Sequence, residues 1–488
     1  MAEHAPPPNP QDDPHGKGPL TADEGVAVRE DAAPETNLDE DDRLRPAFVT
    51  AVLEAVEAGD DDAARALVEP LHPADIADLL ELAPDERRAE LAEALGDLVG
   101  AEVLSELNDY VRDTVVEALD PEQLAELAAE LDTDDAVAII EDLDEADQQA
   151  VLEAMEPEDR AAIESALSYP EESAGRLMQR DLVAVPEHWT VGQTIDYLRE
   201  TIDLTSDFWE IFVVDATHKP IGTCQLSWVL RCPRDIAMVD LMKREQTLIP
   251  VDMDQEEVAL RFQKYALISA AVVDPAGRLV GMITVDDVVH IIQEEAGEDI
   301  LRLSGAGDGD INEPILESYK GRVRWLLSNL LTALLASTVI AIFEGTIEKM
   351  VALATLMPIV AGVGGNAGSQ TMAVTVRALA TNQITASNTW RTILREVRVA
   401  LLNGATVAIV LGIGVALVFA NAQLGGVIAA AMLTNILTAG FAGVAVPLVF
   451  DRFNIDPAVA SSVFVTMITD SMGFLAFLGL ATLAGLAG

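Results

Sequence analysis

Apolar residues recur along this 488-residue chain with three different rhythms. Between residues 45 and 170 the rhythm is helical. His72-Pro73-Ala74-Asp75-Ile76-Ala77-Asp78-Leu79-Leu80 and Asp120-Pro121-Glu122-Gln123-Leu124-Ala125-Glu126-Leu127-Ala128 each set a cap residue and a proline before an apolar i, i+3, i+4 pattern. Repeated short helix pairs of this kind predict a small superhelical array. From 175 to 293 the chain changes to Val-rich runs. Phe212-Val213-Val214-Asp215 with Gly222 is echoed 59 residues later by Ala271-Val272-Val273-Asp274 with Gly281, and Leu177-Met178 by Leu241-Met242. Each copy reads strand–helix–strand–strand–helix, which predicts two α/β modules over 175–233 and 234–293. An acidic connecting helix is expected over 294–321.

The third rhythm is continuous. Five apolar stretches follow Arg324, each of about 20 residues or more and so long enough to span a bilayer. They run about 325–343, 350–376, 399–420, 427–450 and 457–486. The expected fold class is a multi-domain α and α/β membrane protein, with a five-helix transmembrane domain over 322–488. Residues 1–44 are Pro-, Asp- and Glu-rich, with no apolar core of a secretory signal, and read as a disordered tail.

Charge divides the chain in the same place. Of 82 acidic and 30 basic residues, six acidic and eight basic lie from 321 onward, which leaves residues 1–320 with a net charge of about −54. A polyanion excludes nucleic acid, whose phosphates need Lys and Arg. It favours cations, divalent ones most, although acidity also serves solubility. Cys224 and Cys232, the two cysteines, match no zinc or redox spacing. Lys320, Arg322 and Arg324 precede the first apolar stretch, Arg377, Arg391, Arg395 and Arg398 separate the second from the third, and Arg452 separates the fourth from the fifth. The positive-inside rule then places the N-terminal region in the cytoplasm and the C-terminus outside, in a multi-pass protein of the plasma (inner) membrane.

Two features of the apolar region carry chemistry. Asp470 is a lone carboxylate inside the fifth stretch, and a charge at that depth is costly and marks an ion path. The second stretch holds Pro358, Gly362, Gly364, Gly365, Asn366, Gly368 and Gln370. Backbone breaks from a helix at membrane depth only where it faces protein or water, so the run reads as a pore wall offering carbonyls and amides, or as a kinked helix packed on a neighbour. Asp456-Pro457 reads as the N-cap and first residue of the fifth helix. On that helix Asp456, Thr466 and Asp470 would share a stripe, the two carboxylates about 21 Å apart. Glycines 404, 412, 414, 440 and 443 read as close helix packing.

The Gly362–Gln370 run together with the Asp456–Asp470 helix resembles the membrane domain of the MgtE family of magnesium channels. The resemblance implies that Asp470 is the selectivity carboxylate, that Asp456 belongs to a further ion site, and that Gly365, Asn366 and Gln370 line and hinge the pore with Thr466 beside them. The helical region resembles that family's N-domain. The duplicated modules resemble a CBS pair, which senses ligands rather than catalyses and implies ATP as a possible second ligand besides transported and regulatory Mg²⁺. By the same resemblance 294–321 is a plug helix, and Asp134, Asp254, Glu256, Asp287, Glu295, Glu298 and Asp299 fall on regulatory magnesium positions. Ala138, Ala266 and His290 stand where further acidic ligands are expected. One Asp470 supplies one charge, so a homodimer with the pore on its axis is expected to match a divalent ion. The function implied is Mg²⁺ uptake gated by cytosolic Mg²⁺. The alternatives are a Na⁺- or H⁺-coupled Mg²⁺/Co²⁺ transporter, or a nucleotide-reading CBS membrane sensor. No nucleophile–base pair, phosphate loop or metalloprotease motif argues for an enzyme.

Overall fold

The computed structural model describes residues 37–117, 119–200, 208–305, 311–385, 387–459 and 461–486; the side chain of Asp299 also lies outside this set. Of the expected tail, 1–36 lies outside the described residues. Residues 37–44 do not behave as a tail: Leu38 and Leu44 form an antiparallel bridge, and Leu44 is buried in the first core.

The helical region consists of α1 Pro46–Glu57, α2 Asp61–Val68, α3 Pro73–Leu82, α4 Asp85–Leu95, α5 Ala101–Glu106, α6 Asp109–Val116, α7 Pro121–Ala128, α8 Thr133–Glu141, α9 Glu145–Ala154 and α10 Pro157–Leu167. Local chemistry sets their starts. His72 Nδ1 accepts from the Ala74 amide at 3.3 Å ahead of α3, and Asp120 and Gln123 form a reciprocal capping box on α7. One apolar core runs from Leu44 to Ala166 through all ten helices.

The α/β region holds β1 Ala184–Pro186, α11 Val191–Glu200, β2 Glu210–Val214, β3 Pro220–Gln225, α12 Leu226–Val229 and α13 Met238–Leu241, then β4 Leu248–Pro250, α14 Gln255–Tyr265, β5 Ser269–Val273, β6 Leu279–Thr284 and α15 Val285–Ser304. Both sheets have the same topology, a parallel pair (β1–β2, β4–β5) followed by an antiparallel one. Each even carries its register shift at the same place, Val213/Val214 and Val272/Val273. The modules trade segments, however. Ala174 and Gly175 bond to Met253 and Val251 of the second module, and Gln179 bridges Met282. Lys243 bridges Thr223 of the first. Gly222 and Gly281 permit these crossings, since a Cβ at either would press on Met242 and Lys243 or on Met178 and Gln179. The expected seam at 233/234 is therefore crossed in both directions.

A second seam also moves. α15 runs unbroken from the last strand through 293/294 to Ser304, because Thr284 and Asp287 cap its start and left-handed Gly305 ends it. The next helix, α16 Ile315–Ile342, is separate, so 294–321 is not one helix. After it come α17 Glu344–Lys349, α18 Ala352–Ala380, α19 Thr389–Val418, α20 Ala422–Arg452 and α21 Ser461–Leu483. Among the described residues α16, α19, α20 and α21 are long and apolar enough to cross a membrane. α18 has the length, 29 residues, but its glycines, Asn366 and Gln370 dilute its hydropathy. α20 is the central helix, with α18, α19 and α21 packed around it, whereas α16 leans mainly on α21. Close approach depends on small residues: a Cβ at Gly412 would meet the Gly425 carbonyl at 2.9 Å, one at Gly440 the Ala400 side chain at 2.5 Å, and one at Gly443 the Gly368 carbonyl at 2.8 Å. Gly404 packs less tightly on α20, and Gly414 meets open space, contrary to its expected packing role.

Candidate functional site

α18 does not break at its glycines. It is helical throughout, with Pro358 inside it, so the carbonyls expected to be freed along the run stay in the helical ladder. The magnitudes explain this. A glycine costs a helix about 1 kcal/mol, whereas each unsatisfied peptide group in hydrocarbon costs several. What the run does create is two unlike faces. Leu353, Leu356, Val360, Gly364, Gly368 and Met372 are buried against α20 and α21. Gly362, Asn366 and Gln370, four residues apart, are exposed on the opposite side. Gly365 lies at the edge between the faces, with open space where a Cβ would be.

α21 carries Asp470 and packs on α18, where a Cβ on Gly368 would meet Val465 and Thr469, the latter next to Asp470 in sequence. Asp470 is half-buried and makes no ion pair among the described residues, and Thr466, one turn earlier, is exposed. Asp456 is not on this helix. α21 begins at Ser461, and Asp456 sits in the preceding turn, where its Oδ1 accepts from the Ala458 amide at 2.7 Å. Pro457 thus opens a bend rather than the helix, and the 21 Å helical stripe does not extend to Asp456.

Asp456 already has a cation. Its Oδ2 takes Arg302 Nη1 at 2.8 Å, and Arg302, in the last turn of α15, also pairs with Glu298. Leu303 packs beside it on a cluster of Met372, Val376, Ala458 and Val465. A Cβ on Gly305 would collide with the Trp325 indole on α16. The end of α15 is thus seated on α16, α18 and α21.

The other end of α15 meets the helical region. Asp134, in the first turn of α8, has an Oδ1 sealed from solvent and without a partner among the described residues. Asp287 Oδ2 accepts from Thr284 Oγ1 at 2.6 Å and lies 3.5 Å from Gln179 Nε2. Burial, and then the Asp287 charge, push the Asp134 carboxyl well up. Burial pushes Asp135 and Asp287 up to about 6, with Asp287 and Asp132 adding to the first and Asp286 and Asp132 to the second. His290 partly offsets this at Asp135. Further along α15, Glu295 accepts from Gln255 Nε2 at 2.7 Å and is raised by burial, with Asp254 and Glu172 nearby. Asp254 itself caps α14, accepting from the Glu256 amide at 3.0 Å. Asp299 lies on α15 with its side chain outside the described residues. Ala266 is the left-handed C-cap of α14. Among the described residues no three acidic, His or Cys side chains converge as a closed metal cage. What the fold brings together is carboxylate pairs, which suit a cation that keeps most of its water.

Comparison with known proteins gives the family. Residues 357–480 match the MgtE divalent cation transporter family, 71–172 its intracellular N domain and 238–294 the CBS domain. The magnesium transporter MgtE of Thermus thermophilus is 32% identical over 323 residues, 66% of this chain and 72% of that protein. That of Enterococcus faecalis is 31% identical over 317 residues, 65% and 70%. The chain belongs to the MgtE family of magnesium transporters. A crystal structure of the cytosolic domain of the Mg²⁺ channel MgtE in complex with ATP aligns with 50% of the chain and 99% of that domain, at 31% identity and a TM-score of 0.46.

Within this MgtE chain, two residues of the site escape motif reading, Asp135 and Arg302, and so does Asn435, buried on α20 with its Nδ2 donating to the Val360 carbonyl of α18. Arg302 carried a signal, as the single Lys or Arg between 285 and 319. Asn435 carried one too, a lone amide in the middle of the apolar α20, to which the rule that singled out Asp470 also applies. Asp135 is hidden among its acidic neighbours.

Proposed function

We propose that the chain forms a homodimeric channel that passes partly hydrated Mg²⁺ into the cell and is closed by Mg²⁺ bound on its cytoplasmic side. The observation that carries this reading is the set of polar positions on two packed helices: Asn366 and Gln370 exposed on the outer face of α18, and on α21 an exposed Thr466 and an Asp470 with no ion pair among the described residues. Polar side chains at membrane depth do not face lipid. A second copy across a two-fold axis gives them a water-filled partner and supplies two Asp470 carboxylates, one for each charge of the ion. α18 then serves as the fifth crossing, the helical region and modules lie in the cytoplasm, and the C-terminus lies outside. A potential negative inside favours entry by about 2.3 kcal/mol per charge per 100 mV.

Gating follows from α15. Its first turn carries Asp287 against Asp134, and its last turn holds Arg302 on Asp456 and Leu303 on the helix ends. Mg²⁺ bound between Asp134 and Asp287, and along Asp254, Glu256, Glu295, Glu298 and Asp299, holds this seated arrangement. Without it the carboxylates repel and α15 lifts away. The ion shifts this equilibrium only by its preference for the seated state. ATP at the CBS pair belongs to the same reading, checked by nucleotide binding to the purified chain.

The test is Mg²⁺ influx into proteoliposomes for the native chain and Asp470→Asn, without Na⁺ or H⁺ gradients. Flux that needs a coupling ion would make the protein a secondary transporter. Mg²⁺ must also protect the cytoplasmic region from protease; identical digestion with and without Mg²⁺ sinks the gating half.

A further inference from the structure

Asn435 is fully buried in the middle of α20, with no exposed surface. Its Nδ2 donates to the Val360 carbonyl of α18 at 2.9 Å. Its Oδ1 has no partner among the described residues. On either side of the amide stands a glycine of a different helix. A Cβ on Gly364 of α18 would collide with the amide, and one on Gly473 of α21 would lie 2.6 Å from Nδ2 and 3.1 Å from Oδ1. The carboxamide thus fills a slot cut by two absent side chains. Gly364 lies two residues before Asn366, and Gly473 three residues after Asp470.

A buried amide with an unbonded oxygen costs free energy, and a small apolar side chain would sit in a slot between apolar helices without that cost. Packing alone therefore does not account for Asn435. Its arrangement does two things. The donated bond pins α18 at Val360, between Pro358 and the first glycine of the run, where the helix is weak. The flat amide fixes how closely α18 and α21 approach. It does both directly behind the residues that face outward.

We infer that Asn435 is a positioning residue for the ion path: it clamps α18 to α20 and spaces it from α21, so that Asn366 and Gln370 stand at a set distance from Asp470. This rests on the reading that α18 and α21 line the path.

The experiment is a double-mutant cycle in proteoliposomes, reading Mg²⁺ influx and the ratio of Mg²⁺ to Ca²⁺ influx. Asn435→Ala is expected to lower Mg²⁺ influx on the order of tenfold, the scale on which positional coupling acts, and to lower the ratio. Gly364→Ala and Gly473→Ala should do the same in the native background, while Gly414→Ala, whose Cβ meets nothing within 4 Å, should not. In an Asn435→Ala background the Gly364→Ala defect should largely disappear, because its obstacle is gone. Native influx and ratio in Asn435→Ala, or losses that simply multiply in the double variant, overturn the inference. If Asn435→Ala does not fold, the two glycine variants decide: an unchanged ratio in both overturns it. Asp470→Asn is run alongside. Full influx there defeats the reading of the path itself, whereas its loss beside unaffected Asn435 and glycine variants defeats only the clamp.

Discussion

Single side chains decide the chemistry of this protein, and two of them are distinguished by their partners. Asp470 has no ion pair among the described residues, and in the channel proposed above its charge meets the passing ion. Across effective dielectric constants from about 80 to about 20, one unit charge at 4 Å attracts another by about 1–4 kcal/mol. Asp470→Asn should therefore lower Mg²⁺ flux by roughly ten- to a thousandfold while leaving the fold intact, measured as influx against thermal stability in detergent. Asp456 is different, because Arg302 holds it. Both partners are about one-third exposed, so the pair is worth only about 0.2–1 kcal/mol. Arg302→Gln should raise residual Mg²⁺ flux at high cytosolic Mg²⁺ by up to roughly fivefold, read in inside-out patches; unchanged residual flux would separate Arg302 from closure. Asp470 was legible in the sequence because a charge in an apolar run is costly whatever surrounds it. The Arg302–Asp456 pair was not, since 154 residues separate its members and only the seating of α15 brings them together.

The elements owe their positions to faces rather than to propensity. α18 and α20 touch backbone to backbone, a Cβ on Gly443 meeting the Gly368 carbonyl at 2.8 Å. Gly443→Val should cost about 1–3 kcal/mol through overpacking, seen as a lower unfolding temperature in detergent. α8 and α15 meet through carboxylates whose seated state favours the protonated form. The sign follows from the direction of the shift. A carboxyl raised to about 6 when seated, from an ordinary value near 4, takes up a proton on seating. Seating therefore strengthens as pH falls through about 6 toward 4 and is weakest above 7. The groups facing this contact are Asp132, Asp134, Asp135, Asp286, Asp287, Glu106 and His290. With Mg²⁺ chelated, acid should mimic the ion: protease protection at pH 5.5 should exceed that at pH 7.5, and the reverse order would count against these residues as the contact. The elements themselves were largely legible, from the cap-and-proline starts of α3 and α7 to the duplicated sheets. The start of α21 was missed because Asp456-Pro457 has the chemistry of a helix start, yet Asp456 is drawn into the bend that meets Arg302.

For the whole molecule, the proposed two-fold pore puts the outward polar face of α18 against its copy. Cys introduced at 366, with Cys224 and Cys232 replaced, should cross-link two protomers in native membranes; its remaining monomeric under oxidation would argue against the axial pore. The membrane region and the two regions before it were all legible, because charge and hydropathy change abruptly between them. The seams were not. Segment exchange between the α/β modules leaves no mark in composition, and periodicity does not tell which sheet a segment such as Leu177-Met178 will join. That exchange has a consequence for how the chain is made. Ala174 and Met178 lie in the same apolar cluster as Ile283 and Val288. They leave the ribosome more than a hundred residues before the strand and helix that cover them. At about 5–20 residues per second the wait is on the order of ten seconds, and during it the first module waits in turn for Met242. Neither module can be finished alone, so the pair closes in one late step, shortly before the first membrane helix emerges.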